Sequence, residues 1–128
     1  MNGLERWHHV MNEGDMEALY DLLHPDCVFI SPVVHTPQEG REITYAYLRA
    51  ANKALSEDFQ YVREVVQDNH AVLEFTVKVD GIFVNGVDII TFEGDQIVEL
   101  KVMVRPLKAV NAVWKQMGEM LEQLKVAS

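Results

Sequence analysis

The chain has 128 residues, of which 48% are apolar, and 20 acidic against 11 basic residues give it a formal charge of −9. This length and composition predict one folded domain over residues 1–128 with a buried core. Because so acidic a chain repels phosphate backbones and anionic lipid surfaces, we expect no nucleic acid and no membrane partner.

The N-terminal part of the chain has the pattern of two helices. Apolar residues recur at helical spacing over residues 3–13 and predict a first helix with one apolar face. Gly14 is suited to end this helix, and Asp15 is suited to cap the next one. The second helix is expected to stop near Pro25, because the residue before a proline disfavours helical backbone.

Residues 27–31 predict a short strand, and a loop leads from it to a third helix. Two signals compete for the start of that helix. Residues 36–39 have the pattern of a capping box with proline at the first helical position, whereas Gly40 favours a start directly after it. The apolar face of the third helix comprises Ile43, Ala46, Tyr47, Ala50 and Ala54.

The second half of the chain predicts four strands at residues 58–67, 71–79, 82–93 and 96–105. Short turns rich in Asp, Asn and Gly connect them, as in antiparallel hairpins. Helical spacing returns after residue 107. We therefore predict an α+β fold, with helices on one face of a curved four-stranded meander and a further helix at the C-terminus.

Asp88 stands out because it is a carboxylate within an apolar, β-branched strand. Alternate side chains of a strand share a face, so Asp88 points the same way as Ile90 and Phe92. If that face is buried, the pKa of Asp88 rises, and the neutral acid is able to donate a hydrogen bond. Alternatively, the face is solvent-exposed, or backbone amides bind the carboxylate. The strand pattern alone leaves both interpretations open.

Four segments of the chain, in this order and spacing, resemble one known superfamily. They are Met11-Asn12-Glu13-Gly14-Asp15, the helix end and strand at residues 22–33, the third helix at residues 40–48, and the hairpin at residues 86–98. Over residues 4–105 the chain is similar to NTF2-like proteins, and within them to the ketosteroid isomerase and SnoaL-like polyketide cyclase branch. The resemblance implies a cone of three helices on a curved antiparallel sheet.

The resemblance also implies roles for three residues. Ketosteroid isomerases use a helix tyrosine and a protonated strand aspartate as an oxyanion hole, with a second aspartate as the base. Asp88 falls at the protonated aspartate, Trp7 at the tyrosine and Ser31 at the base. An indole donates a hydrogen bond but relays no proton. A serine without an activating partner is a poor base, so the base of the family is missing.

If the resemblance holds, the face of Asp88 looks into the cone, and the cone interior is an apolar pocket for a small hydrophobic molecule. No Lys or Arg occupies the predicted inward faces. Each aliphatic residue in this set is equally compatible with plain core packing. Beside Asp88, Ser31 and Trp7, the predicted lining residues are Met11, Phe29, Tyr47, Phe75, Val77, Ile90, Val102 and Val104.

The sequence predicts no metal and no other cofactor. The five histidines lack the spacing of zinc ligands, and Cys27 has no second cysteine as a partner. A single cysteine and an N-terminus without an apolar signal region favour a cytoplasmic protein. His35 is either a loop base at the cone mouth or a solvated histidine, and Arg105 either binds an anionic substrate end or forms a surface ion pair.

Three functions remain open at this point. The first is an isomerase, cyclase or dehydratase in which Asp88 donates to a substrate oxygen. The second is a binding module for a hydrophobic molecule without chemistry, and the third is an interaction protein whose cone is filled by its own side chains. The last helix packs across the cone or against a partner. A homodimer is expected through the outer sheet face, with Glu74, Thr76, Lys78, Glu99 and Lys101.

Overall fold

The helices and strands follow one another in the predicted order, with one additional short strand. The computed structural model describes the backbone of residues 2–127 and the side chains of residues 2–123. The helices are α1 (Gly3–Glu13), α2 (Met16–Leu22), α3 (Arg41–Ala54) and α4 (Leu107–Ala127). The strands are β1 (Leu23–Ile30), β2 (Gln38–Glu39), β3 (Glu57–Gln67), β4 (His70–Val79), β5 (Ile82–Glu93) and β6 (Gln96–Arg105).

The strands form one curved sheet in the order β2-β1-β6-β5-β4-β3. Strands β3 to β6 make the predicted antiparallel meander. The sequence did not predict how β1 joins it: β1 pairs with β6 in parallel, and Phe29 lies opposite Leu100. Parallel neighbours need a long connection, and here α3 and most of the meander provide it.

Gly14 and Asp15 take the predicted roles at the ends of the first two helices, and Asn2 adds a cap that was not predicted. The Asn2 side chain accepts a hydrogen bond from the backbone N–H of Glu5 at 2.9 Å, and Gly14 ends α1 in the left-handed conformation, with φ of 66°. The Asp15 side chain accepts from the N–H of Ala18 at 3.1 Å at the start of α2. Such caps satisfy backbone donors that a helix end leaves free.

The predicted end of α2 near Pro25 and the predicted start of β1 at residue 27 were wrong. Helix α2 ends at Leu22, and the chain is extended from Leu23. Pro25 lies inside β1, where the pairing with β6 shifts register between Leu23 and Val28. Because a proline has no N–H to donate, such an interruption of the ladder is where a strand tolerates one.

Of the two start signals for α3, Gly40 is the one that the structure confirms. Gly40 precedes the helix with φ of 107°, a conformation that favours glycine, and Arg41 is the first helical residue. The capping-box interpretation was wrong, because residues 38–39 pair with β1 as an edge strand. The predicted apolar face was partly wrong too, since Ile43 is 37% exposed while Leu48 is buried.

The helices pack on the inner face of the sheet and create two neighbouring core clusters. One joins α1, α2 and the middle of α3 to β1, β4, β5 and β6, with Trp7 and Phe29 among its members. The other joins α3 and α4 to β4 and β5, with Phe75 and Met117 among its members. Among the residues that the structure describes, no helix combines the length and apolarity needed to cross a membrane.

Candidate active site

Asp88 lies on the inner face of the sheet, in the middle of β5. The strand alternates strictly, so that Gly86, Asp88 and Ile90 are buried between half-buried neighbours. Asp88 is 7% exposed, and it lies opposite Leu73 on β4 and Val102 on β6. The inward interpretation of the strand pattern therefore describes this carboxyl group, and the outward one does not.

A short chain of hydrogen bonds ends at the Asp88 carboxyl group. The Tyr61 hydroxyl on β3 donates to Oδ2 of Asp88 over 2.6 Å. The indole N–H of Trp7 on α1 donates to the Tyr61 oxygen over 3.0 Å. Trp7 and Asp88, at the two ends of this chain, are 3% and 7% exposed, and Tyr61 between them is half-buried. An indole can only donate, so the Tyr61 oxygen accepts from it and keeps its own proton for Asp88.

Burial controls the protonation of this group. Loss of hydration raises the pKa of Asp88 from 3.8 to about 7, and the hydrogen bond from Tyr61 opposes that rise. Burial also raises the pKa of Tyr61, and the nearby charge of Asp88 raises it further. The Tyr61 phenol therefore stays protonated. A carboxyl group with a pKa near neutrality is available both as an acid and as a base at pH 7.

Asp88 opens on a cavity of about 80 Å³ between the two core clusters. The cavity wall is almost entirely apolar, and the polar side chains on it belong to Trp7, Ser31, Asn52 and Asp88. Among the described lining residues, Asp88 is the single ionisable group. A charged ligand would therefore find no opposite charge except an ionised Asp88. The remaining lining residues are Val10, Met11, Met16, Leu19, Phe29, Pro32, Val33, Leu48, Ala51, Leu55, Phe59, Phe75, Leu100, Val102, Val104, Val113 and Met117.

Ser31 lines the cavity at the end of β1. Its Oγ accepts a hydrogen bond from the backbone N–H of Val33 at 3.1 Å. This is the backbone-satisfying role that serine commonly takes beside a turn. The hydroxyl proton remains available to donate. Within the described part of the chain no basic side chain hydrogen-bonds Ser31, so nothing there activates it as a base.

The structure brings eight of the eleven predicted site residues to the cavity wall: Trp7, Met11, Phe29, Ser31, Phe75, Asp88, Val102 and Val104. Tyr47, Val77 and Ile90 do not line the cavity. Ile90 and Val77 are buried in the first and second core cluster, and Tyr47 packs against both. Their side chains face the same interior as Asp88, but neighbouring residues cover them.

Two polar residues of the site were missed by the sequence analysis. Tyr61 follows Phe59 by two positions, and it lies directly opposite Phe75 on β4. The sequence does not give this register, because the β3–β4 pairing shifts between Tyr61 and Arg63. Asn52 is a half-buried residue on α3, and nothing in the sequence around it indicated that it lines the cavity. His35, considered as a base, is exposed and does not line the cavity.

Helix α4 completes the wall of the cavity on one side. It packs against α3 and the sheet, and Val113 and Met117 on its inner face are both buried lining residues. Packing over the interior, one of the two roles expected for this helix, is seen, and packing of its outer face against a partner stays a prediction. Trp114 on its outer face is 64% exposed.

Comparison with known proteins places this geometry in a family. The SnoaL-like domain family matches residues 4–100. A steroid delta-isomerase from Pseudomonas aeruginosa is 35% identical, with a TM-score of 0.92 over 98% of this chain and 93% of that chain. A bacterial protein with a cystatin-like fold, described as uncharacterized, from Silicibacter pomeroyi DSS-3 is 31% identical, with a TM-score of 0.84 over 91% and 83%.

A putative SnoaL-like polyketide cyclase from Jannaschia sp. CCS1 shares the fold at 16% identity, with a TM-score of 0.70 over 87% of this chain and 90% of that one. Among curated proteins, no relative matches the sequence. The predicted resemblance is confirmed, and the chain belongs to the SnoaL-like domain family.

Proposed function

We propose that the protein binds a small, uncharged, largely apolar molecule with a carbonyl-type oxygen, and that neutral Asp88 donates a hydrogen bond to that oxygen. One observation carries the proposal: a lone carboxyl group lies on the wall of an apolar cavity, with Oδ2 already bonded to Tyr61. Oδ1 makes no hydrogen bond to any described residue, so it is the oxygen left for a ligand.

The chemistry that best suits this arrangement is enolisation, as in an isomerase, cyclase or dehydratase. Enolisation breaks the C–H bond beside the carbonyl, and the proton passes to water, since Asp88 is the single ionisable group among the described lining residues. Negative charge builds on the carbonyl oxygen as that bond breaks, and a preorganised donor stabilises the charge. The 35% identity to a protein named as a steroid delta-isomerase supports this reaction class. A group poised near pH 7 is also matched to proton transfer at neutral pH.

The size of the cavity restricts the substrate. Ligand pockets typically measure about 300–1,000 Å³, whereas this cavity has about 80 Å³. A one-ring compound is therefore the better match to the side chains as they stand. A four-ring steroid requires the wall to open, and Met11, Met16 and Met117 are the flexible lining residues that would have to move.

The experiment offers two β,γ-unsaturated ketones, one with a single ring and one with a four-ring steroid skeleton. Ultraviolet absorbance follows the shift of the double bond into conjugation, and calorimetry measures binding. We expect turnover of the one-ring ketone to exceed that of the steroid. Asp88→Asn is expected to lower turnover about 100-fold or more, the range of a positioned acid or base. If neither ketone binds, the proposed ligand class is wrong.

A second candidate is a binding module without chemistry, because among the described residues no basic side chain hydrogen-bonds Ser31. By the resemblance to ketosteroid isomerases, Ser31 falls at the position of their catalytic aspartate, and its Oγ accepts from the Val33 amide. In this case the one-ring ketone binds, is recovered unchanged after long incubation, and loses affinity in Asp88→Leu, which has no donor. The third possibility, a cone filled by its own side chains, is disfavoured by the cavity beside Asp88.

Binding by the neutral acid has a pH dependence with a defined sign. Above a pKa of about 7, the group ionises, and a ketone oxygen would then face a carboxylate without a proton to share. The affinity is expected to fall about tenfold per pH unit above that point. A cationic amine would show the opposite trend and would identify Asp88 as a counter-ion instead.

We also propose that two copies pair through the outer sheet face, and that the protein is cytoplasmic. Phe83 and Met103 lie on that face and are 58% and 53% exposed. They stand beside charged residues such as Glu74 and Lys101, which supports a mixed apolar and polar interface. Met103→Lys should convert a dimer to a monomer in sedimentation velocity. A wild-type monomer would refute the pairing.

The cytoplasmic location is supported by Cys27, which is buried and has no disulfide partner.

A further inference from the structure

The hydrogen-bond chain behind Asp88 has a fixed direction. The Trp7 indole donates to the Tyr61 oxygen over 3.0 Å, and the Tyr61 hydroxyl lies 2.6 Å from Oδ2 of Asp88. If Asp88 donated to Tyr61 instead, the Tyr61 proton would need another acceptor. Among the described residues Tyr61 has no further hydrogen-bond partner, and leaving the donor of this half-buried side chain unpaired costs free energy.

We propose that Tyr61, held by Trp7, is a positioning residue that keeps Oδ2 of Asp88 an acceptor and confines the acid proton to Oδ1, the oxygen open to the cavity. This inference rests on the proposed function, because it explains how the donor is aimed at a ligand. Without Tyr61 the proton is free to occupy either oxygen. With Tyr61 in place, the proton occupies Oδ1 alone. The donor is then already oriented, so ligand binding does not lose entropy in orienting it.

The packing around Tyr61 holds it in place for this role. Its ring meets Phe59 edge-on with centroids 5.1 Å apart, and meets Phe75 in the same way at 6.4 Å. Phe59 in turn stacks on Phe75. These aromatic contacts constrain the ring while the Trp7 indole constrains its oxygen. Tyr61 itself does not line the cavity, so it acts through Asp88 and not on a ligand.

The sign of a pKa change tests the direction of the chain. A donor to Oδ2 stabilises the carboxylate, so Tyr61→Phe should raise the pKa of Asp88 further. If Asp88 donated to Tyr61, the same substitution would remove a stabiliser of the neutral acid and lower the pKa. Trp7→Phe should raise the pKa by less, since Tyr61 still donates but is no longer polarised by the indole.

The measurement is a carbon-detected NMR titration of the Asp88 carboxyl group in the ligand-free, full-length protein. Tyr20→Phe is the matched control, because the Tyr20 hydroxyl also donates to a carboxylate, that of Glu42, but at the exposed surface. The expected order of midpoints is wild type and Tyr20→Phe together, then Trp7→Phe, then Tyr61→Phe. A lowered or unchanged midpoint in Tyr61→Phe overturns the inference.

Two other ionisable side chains, His8 and Glu64, lie near Tyr61, and their effects must be separated from that of Asp88. The His8 ring lies edge-on to Tyr61 with centroids 5.7 Å apart, and its Nε2 is 2.6 Å from Oε1 of Glu64. The indole N–H signal of Trp7 distinguishes them. It should titrate with Asp88 in the wild type and become flat in Asp88→Asn, whereas a response that persists in that variant comes from His8 or Glu64 and contradicts the coupling. Trp114, which is exposed, provides an internal reference.

Failure of this inference and failure of the proposed function are distinguishable, because the titrations contain no ligand. If the protein binds neither ketone but shows the expected order of midpoints, the positioning role of Tyr61 stands and the proposed ligand class is wrong. If the protein turns over the one-ring ketone but all variants have equal midpoints, the proposed function stands and the positioning role of Tyr61 is wrong.

Discussion

The two faces of the sheet treat a carboxylate in opposite ways. Asp88 on β5 points inward, and Glu74 on β4 points outward, opposite Val87. The Glu74 carboxylate accepts a hydrogen bond from Asn85 at 3.0 Å and lies 3.4 Å from Nε of Arg63. Asp88 has one neutral donor, Tyr61, and no cation within the described structure. The same chemical group is therefore a solvated, paired ion on one face and a proton carrier on the other.

Strand parity explains this difference. Neighbouring positions of a strand point to opposite faces, so a shift of one residue exchanges the two environments. Four helices cover the inner face, whereas the outer face is exposed to solvent and has charged residues such as Lys78. What a carboxylate can do here is decided by the face that it occupies, and three substitutions test how far that holds.

The largest effect is expected from Asp88→Asn. Asp88 has a pKa of about 7 in the folded protein, whereas its ordinary pKa, which applies in the unfolded chain, is 3.8. The native state therefore keeps a proton that the unfolded chain has lost, so stability falls as pH rises between about 4 and 7. Above pH 7, the raised pKa of Asp88 lowers the free energy of unfolding by about 4 kcal/mol in total.

Asp88→Asn removes that ionisation while it keeps an acceptor for Tyr61. We expect the variant to be more stable than the wild type at pH 8, and similar to it at pH 4. Urea unfolding at the two pH values measures the difference. A wild type whose stability is flat across this range would show that Asp88 is not a buried neutral acid.

Gly86→Ala is the next largest test, on the inner face two residues before Asp88. A methyl group at Gly86 would lie 2.6 Å from Cζ of Phe75 and 2.7 Å from the carbonyl oxygen of Met103. The backbone oxygen cannot yield, and Phe75 would be pushed toward the cavity. Such overpacking costs about 1–3 kcal/mol.

Thermal unfolding measures this cost, and Gly118→Ala on the exposed side of α4 is the matched control. Nothing lies within 4 Å of the added methyl there, and helical alanine is favoured over glycine by about 1 kcal/mol. The two substitutions should therefore change stability in opposite directions. Destabilisation by both would mean that the tight contact at Gly86 is not what matters.

The smallest effect is expected on the outer face, from Glu74→Gln. Arg63 is 74% exposed in its side chain, and an exposed ion pair contributes about 1 kcal/mol at most. Glutamine still accepts from Asn85. Stability should change by less than about 1 kcal/mol, and less still in high salt. A change as large as that of Asp88→Asn would remove the contrast between the two faces.

Local patterns were enough to predict most of the fold. Strands β5 and β6 begin and end at the predicted residues, because alternation and Gly-containing turns are encoded within the segments themselves. The start of β1 at Leu23 and the two-residue β2 were missed. Their extended backbone depends on pairing with partners distant in sequence, and no local signal distinguishes Pro25 in an interrupted ladder from Pro25 after a helix.

The site was predicted in part for the same reason. Asp88 was found because it interrupts an otherwise apolar strand. Tyr61 was missed because β3 is an edge strand in which only Phe59 and Tyr61 are half-buried, while Val62 and Val65 are exposed. A register shift between Tyr61 and Arg63 further breaks the alternation. The partner of a buried acid is set by how β3 curves over the interior, which the sequence does not display.

The parallel pairing of β1 with β6 determines when the cavity comes into existence during folding. Phe29 and Leu100 face each other in this pair and both line the cavity, yet they are 71 positions apart, from 29 to 100. Contacts between such distant positions form late, because a long loop must close before any pairing compensates for the lost chain entropy. On a ribosome, the strand that carries Asp88 is made before β6 and stays uncovered on that side until β6 emerges.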